Sequence, residues 1–381
     1  SEIKYSEILK KINKNIKIRN NIYHSLSGDF KLNFRENELK KFIKFETVVI
    51  IGMGGSINGA EAIYYFLKNR IKKNFIFVNN IDNKKIEEIK SKKNLKKILF
   101  LIISKSGNTI ETISNTLALN IIKKNCKNII IISEKNNNAL YLIAKKMNLH
   151  FIEHKKYIGG RYSVLSEVSM VPAYLMGLSI NKIRKNSLIH FQRKNNFFLK
   201  QSSILMSNLL TQNKYKNIIF FDYCSNLNKF LFWAQQLIAE SLGKKGKGFL
   251  PTISLAPQDH HSLLQLYLDG PKDKLFYIFS SQSKNEKKLK INKLNNKLKY
   301  LNNKSLNQIK IAQKNALIKV LKKNDIPFRE FKIKENSEQT LGELFSYFML
   351  ETIITGKLAN INPFDQPAVE SVKAATNKIL S

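Results

Sequence analysis

Thr47-Val48-Val49-Ile50-Ile51-Gly52-Met53-Gly54-Gly55-Ser56 is the stretch whose reading decides the fold. A short apolar run hands over to glycines, and a helical pattern follows from Asn58. The same unit recurs along the chain. Strands are predicted at Thr47–Ile51, Phe75–Asn79, Ile98–Ser104, Asn128–Ser133 and, briefly, His150–Ile152. Helices are predicted between them at Asn58–Lys68, Lys84–Lys92, Thr109–Asn120 and Ala139–Met147, with another at Ser163–Gly177. Alternating strands and helices indicate a parallel, doubly wound sheet whose binding loops lie beyond the strand C-terminal ends. After a polar stretch near Asn181–Asn196 the alternation restarts. Strands are predicted at Asn217–Tyr223, Leu275–Ser280 and Pro327–Lys332, with helices at Asn228–Leu242, Ser305–Lys323 and Thr340–Gly356. The Lys- and Asn-rich segment Lys284–Asn303 reads as a solvated insertion or an amphipathic helix. At 381 residues the chain is long for a single core.

Composition excludes several classes. A hydrophobic fraction of 43% and an aromatic fraction of 10% are those of a globular protein. The net charge of +37 raises a polyanion-binding reading. However, arginine, the residue suited to bidentate phosphate and guanine contacts, stands only at 19, 35, 70, 161, 184, 193 and 329. Lysine is instead scattered among Asn and Ile, the pattern of a solvated surface, so no nucleic-acid partner is expected. Cys126 and Cys224 lack metal or redox spacing and are expected to pack in or near the core. The longest apolar runs, such as Ile98–Ile103, are far too short to span a membrane, and nothing resembles a signal peptide. The expectation is a soluble, cytoplasmic protein with no membrane partner.

Two loops are made for an anion. In Gly52-Met53-Gly54-Gly55-Ser56, glycines let backbone N–H groups approach a phosphate, and a helix N-terminus follows. In Ser104-Lys105-Ser106-Gly107-Asn108-Thr109, three hydroxyls and several amides precede another helix start. The first loop is neither a dinucleotide nor a nucleotide-triphosphate motif: it is not GxGxxG, no Gly-Lys-Ser/Thr follows, and no acidic residue ends the next strand, where Val78-Asn79-Asn80 stands. Two such loops at consecutive switch-point positions point to a monophosphate ester.

Proton chemistry has three candidates. Arg161 lies in Gly159-Gly160-Arg161-Tyr162-Ser163, after a flexible turn and at a helix start. Glu240 ends a helix and leads into a Gly/Lys loop. A carboxylate there faces the negative end of the helix dipole, which disfavours its charged form and suits it to accept a proton. His260 and His261 adjoin Asp259 in a loop, two of the chain's 6 histidines. Acid/base use fits them better than metal binding, because no HExxH or CxxC accompanies them. The C-terminal run Asn362-Pro363-Phe364-Asp365-Gln366-Pro367-Ala368-Val369-Glu370-Ser371-Val372-Lys373 is a Pro-flanked turn leading into a helix. It is too well organised for a frayed tail and offers Gln366 and Lys373 as one wall of a site.

Taken in order, Gly54-Gly55-Ser56, Ser104–Thr112, Gly159–Ser166, Glu240-Ser241-x-Gly-Lys, His261-x-x-x-Gln265 and Asn362–Lys373 resemble the glucose-6-phosphate isomerase family. The resemblance runs from about residue 50 to the C-terminus, and six motifs in series make it specific. It implies an α/β protein of two flavodoxin-like sugar-isomerase domains, parallel sheets flanked by helices, with a C-terminal helix packing back on the first domain. The expected divisions are an N-terminal helical segment at 1–45, domains at 46–185 and 195–345, and a C-terminal helical segment at 346–381. It also implies a homodimer with a shared active site. Carried over residue by residue, Ser104, Ser106 and Thr109 would hold the sugar phosphate, with Gly55, Ser56 and Lys105 beside them. Glu240 would move a proton between C2 and C1 through a cis-enediolate, and Arg161 would stabilise that charge. His261, arriving from the neighbouring subunit, would open the sugar ring, with Lys373 at the ring oxygen and Gln366 positioning the substrate. The implied reaction interconverts glucose 6-phosphate and fructose 6-phosphate without metal or other cofactor.

Some positions depart from the family pattern. Asn58 replaces a usual Leu, Ala368 a common Gly, and Ser106-Gly107-Asn108-Thr109 is a generic sugar-isomerase loop rather than a Thr-rich one. That loop leaves substrate breadth open, mannose 6-phosphate included. A sugar-phosphate-sensing regulator would need a DNA-binding module, and the roughly 45 residues before the first strand show no clear one.

Overall fold

The computed structural model describes residues 2–92, 94–191, 196–281, 286–291 and 296–380. Helix α1 (Glu2–Ile16) and the short α2 (Glu36–Leu39) precede the first sheet unit. In that unit β1 (Thr47–Ile51), α3 (Asn58–Phe66), β2 (Asn74–Val78), α4 (Asn83–Lys90), β3 (Ile98–Ile103), α5 (Ile110–Ala118), β4 (Ile129–Ser133), α6 (Ala139–Met147) and β5 (His150–Glu153) alternate. The strands are all parallel in the order β2-β1-β3-β4-β5, the flavodoxin-like winding whose switch point lies between β1 and β3. Helices α7 (Glu167–Leu175), α8 (Ile180–Lys185) and α9 (Asn196–Gln212) lead to the second unit. There β6 (Asn217–Asp222), α10 (Asn228–Leu242), β7 (Leu250–Leu255), α11 (Leu264–Asp269), β8 (Lys274–Ser281), α12 (Leu306–Lys323) and β9 (Phe328–Ile333) form a parallel sheet ordered β7-β6-β8-β9. Helices α13 (Glu338–Leu358) and α14 (Pro367–Leu380) end the chain.

The alternation of side chains along β1 explains the layering. Val48 and Ile50 face one apolar cluster, Val49 and Ile51 another, and all four are fully buried. A strand covered on both faces must be apolar throughout, and Ile98–Ile103 is. The inner cluster continues through Ala60, Ile63, Trp233, Leu237, Phe345 and Phe348 to Phe220 and Tyr277 of the second sheet. Helices α3, α7, α10 and α13 therefore fill a shared middle layer, and each sheet's outer face carries its own helices.

Strand β7 escapes the periodicity reading. It is an edge strand with Pro251 inside it, paired at Ile218 on one side only. A proline can be accommodated there because its missing N–H faces away from the ladder. The helix expected at Ser163–Gly177 is two elements, a 3₁₀ turn at Gly160–Leu165 and then α7, separated by extended Ser166. Of the Lys284–Asn303 segment, a 3₁₀ helix at Asn296–Leu301 and a bridge between Lys288 and Ser305 are formed, while residues 284, 285 and 292–295 lie outside the described residues. Residues 192–195 of the expected polar linker also lie outside them.

One expectation is corrected. The terminal helix does not pack back on the first unit: α14 buries none of its residues, and Val369, Val372, Ile379 and Leu380 are exposed. It is α13 that crosses the molecule, against α8, α9 and α10. The Pro363–Gln366 turn is held by hydrogen bonds from Arg161, whereas among the described residues none of α14 is buried.

Candidate active site

The site is assembled where the Gly160–Leu165 turn meets the end of α10. Arg161, 3% exposed, spreads its guanidinium among five partners. Nε donates to Ser241 Oγ at 2.8 Å, and Nη2 donates to the carbonyls of Pro363 at 2.8 Å and Asp365 at 3.0 Å. Nη1 donates to Gln366 Oε1 at 2.8 Å and lies 3.3 Å from Glu240 Oε1. A planar fork with five N–H donors is suited to joining three segments in this way.

The C-terminal turn is locked around that fork. The Phe364 ring sits edge-on to Tyr23 at 5.7 Å and tilted against Tyr162 at 5.5 Å. Tyr162 donates to the Pro363 carbonyl at 3.1 Å and shares a 2.9 Å hydrogen bond with Ser241 Oγ. Burial pushes its phenol up to about 12, so it stays protonated. Lys244 donates to Asp365 Oδ1 at 2.7 Å, which holds that exposed carboxyl below its usual range.

The first glycine loop abuts the arginine turn. A Cβ on Gly55 would stand 2.2 Å from the carbonyl carbon and oxygen of Gly160 and 2.7 Å from the Arg161 nitrogen, so only glycine fits. Ser163 Oγ donates to the Gly55 carbonyl at 3.2 Å, and Ser56 is buried next to it. In the second loop Ser104 Oγ lies 2.8 Å from Thr109 Oγ1 and accepts from the Gly107 amide at 3.1 Å. Ser106 is exposed, 3.5 Å from the Thr109 hydroxyl. Gly107 has φ +67°, and a Cβ there would meet Asn138 Oδ1 at 1.8 Å. Lys105 lies 3.7 Å from Glu134. The loop thus presents hydroxyls at the start of α5, where the dipole favours an anion.

Two expected residues stay apart from this cluster. His261 is exposed, and among the described residues no hydrogen bond or ion pair joins its ring to Arg161 or Glu240. Its neighbour His260 is an anchor instead. It hydrogen-bonds the Tyr223 hydroxyl at 2.5 Å and packs on Phe221, and burial lowers its pKa. Asp259 does not orient either histidine: it accepts from Ser254 and Ser262 hydroxyls and the Leu255 amide. Lys373 is exposed on α14, 2.8 Å from Glu370. Ser241, Tyr162 and Gln236 escape sequence reasoning, although Gln236 stands one helical turn before Glu240 and shares its face. Gln236 Nε2 donates to Glu240 Oε2 at 3.1 Å.

Among the described residues no group of three or more His, Cys, Asp and Glu could hold a metal ion. No helix among them is long and apolar enough to cross a membrane.

Two doubly wound sheets sharing a helical layer, with a glycine-rich loop at the first switch point, define an α/β protein of the phosphosugar-isomerase fold. A hypothetical protein from Thermus thermophilus superposes with a TM-score of 0.85 at 22% identity, over 99% of this chain and 94% of that one. A glucose-6-phosphate isomerase from Chlamydia trachomatis gives 0.76 at 20% identity, over 91% and 72%. In sequence, the chain is 33% identical to the probable glucose-6-phosphate isomerase of Methanococcus maripaludis, over 90% of this chain and 81% of the relative. It is 32% identical to the glucose-6-phosphate isomerase of Methanocaldococcus jannaschii, over 88% and 85%. The family model for phosphoglucose isomerase matches residues 29–381. The chain belongs to the phosphoglucose isomerase family.

Proposed function

We propose that this protein interconverts glucose 6-phosphate and fructose 6-phosphate, a step of glycolysis and gluconeogenesis. The observation that carries the reading is the pairing of Glu240 with Arg161 at 3.3 Å, in a chain of this family and beside the glycine loop. The phosphate rests on Ser104, Ser106 and Thr109, with Gly55, Ser56 and Lys105 at its edge. In the open-chain aldose, the Glu240 carboxylate removes the C2 proton while the electron pair moves through the new C1–C2 double bond onto O1. The negative charge of the resulting cis-enediolate is stabilised by the guanidinium edge that faces Glu240, a donor already in place before the reaction begins. A proton passes from O2 to O1 within the enediolate, Glu240 returns the abstracted proton to C1, and the carbonyl reforms at C2. Gln366 positions the sugar, and His261 and Lys373 act at ring opening.

His261 belongs to the site of a second copy, which accounts for its exposure; the working form is a homodimer with shared sites. The sugar-isomerase units are residues 46–185 and 195–345, between helical segments at 1–45 and 346–381. The reaction uses no metal or other cofactor, takes place in the cytoplasm, and involves neither nucleic acid nor membrane. A coupled assay with fructose 6-phosphate and no added metal tests the activity. Formation of glucose 6-phosphate supports it, and its absence overturns the reading.

A further inference from the structure

Glu240 is held at both oxygens. Arg161 occupies Oε1, and the Gln236 amide donates to Oε2 at 3.1 Å. Gln236 Oε1 in turn accepts from Asn58 Nδ2 at 3.0 Å. This short chain has one permissible polarity. An ionised carboxylate can only accept, so the Gln236 face toward it must be N–H, and its carbonyl must face away. Asn58, at the start of α3, offers that carbonyl a donor. The slot for the amide is opened by Gly54, whose φ is +51° and where a Cβ would stand 2.9 Å from Gln236 Nε2. Asn58 and Gln236 also line a hollow of about 350 Å³, together with Glu61, Asn79 and Lys229.

We propose that Asn58 is a positioning residue for Glu240: by binding the Gln236 carbonyl it keeps the Gln236 N–H turned toward the carboxylate. This rests on the reading of Glu240 as the proton carrier. The charged and titratable groups that face this chain are Arg161 and Tyr162 from the arginine turn, Glu61 on α3 and Lys229 on α10. Lys229 and Asn79 Nδ2, donors that also line the hollow, are already engaged by Glu61 at 3.4 and 3.1 Å. Asn58 is therefore the donor available to the amide.

The polarity can be inverted by substitution. Asn58→Asp offers only acceptors, so the Gln236 amide turns to donate to it, and its carbonyl then opposes Glu240 Oε2. The pH profile of kcat is to be measured for the intact protein, for Asn58→Asp, and for Asn58→Asp placed in a Gln236→Leu background, which has no amide to turn. The expected result is an acidic limb moved up by about one pH unit, a tenfold loss of activity at fixed pH below it. In the Gln236→Leu background the same substitution moves the limb by less than half as much. An unmoved limb, or an equal movement in both backgrounds, overturns the proposal. Asn58→Leu, which removes the donor without adding charge, lowers kcat by roughly 2- to 10-fold with melting unchanged, the scale of one hydrogen bond. An unaltered kcat in that variant also counts against it. Should Glu240→Gln retain near-native kcat, the proton-carrier reading falls and this proposal with it. Loss of activity in Glu240→Gln together with an unmoved limb in Asn58→Asp removes the Asn58 proposal alone.

Discussion

Arg161 Nη1 lies 3.3 Å from Glu240 Oε1, joining a turn that follows the first sheet to the end of a helix in the second. The same guanidinium holds the Pro363–Gln366 turn through three further hydrogen bonds. One side chain therefore couples the proposed proton carrier to the C-terminal segment.

The first prediction concerns the carboxylate. Glu240→Gln preserves shape and the contact to Gln236 but removes the proton acceptor. General acid–base groups contribute about 10²–10⁴-fold, so kcat should fall by that order while KM changes little. Steady-state kinetics with fructose 6-phosphate measures it.

Arg161→Lys keeps the positive charge and loses the fork. A lysine cannot reach Ser241, the two turn carbonyls and Gln366 together. A drop in kcat of roughly 10²–10³-fold is expected for a lost charge-stabilising donor. The thermal midpoint should also fall, because Pro363 and Asp365 lose their shared donor.

Gly55→Ala drives a methyl group into the Gly160–Arg161 peptide. Overpacking of this kind costs about 1–3 kcal/mol, and here the obstacle is backbone, which cannot swing aside. Chemical denaturation should report that loss, with activity falling because the Arg161 turn is displaced.

Truncation after Gln366 separates catalysis from stability. Helix α14 buries no residue, so the melting temperature should stay within about 2 °C, as for other surface changes. If Lys373 serves ring opening, turnover of the closed sugar drops at least tenfold under the same conditions (an order-of-magnitude expectation for an acid–base group). Unchanged turnover removes Lys373 from the mechanism.

Asp222 supplies a pH test of stability. Burial raises its carboxyl from 3.8 to about 7, against the Cys224 amide and Lys310, and its Oδ2 has no hydrogen-bond partner. Between these values the folded chain holds a proton that the unfolded chain has released. The Asp222 contribution is thus complete below about pH 4 and is lost as pH rises through about 7. Asp222→Asn keeps an acceptor for the Cys224 amide and removes the titration. Urea midpoints at pH 5 and pH 8 should show the variant gaining on the parent at the higher pH. A constant difference between the two would contradict the assignment.

Much of the fold was legible because its signals are local. A β-branched run followed by glycines and an amphipathic helix needs no distant partner to be recognised, and Asn228–Leu242 and Ala139–Met147 fall where the pattern places them. Strand β7 was hidden because Pro251 is permissible only at an edge, and edge position is a property of the finished sheet. In the site, Gly55 was legible as a glycine loop, but the peptide it must admit, Gly160–Arg161, lies more than a hundred residues further along the chain.

The sequence by itself determined the doubly wound class, the two glycine- and hydroxyl-bearing loops and the set of scarce polar residues, since periodicity, glycine and residue chemistry are written in adjacent positions. Only the tertiary structure decided which of those residues meet. It put Arg161 between Glu240 and the C-terminal turn, made His260 an anchor while leaving His261 exposed, and left the described residues of α14 unburied. Each of these outcomes depends on which segments the shared apolar layer brings together, and that layer draws on both sheets at once.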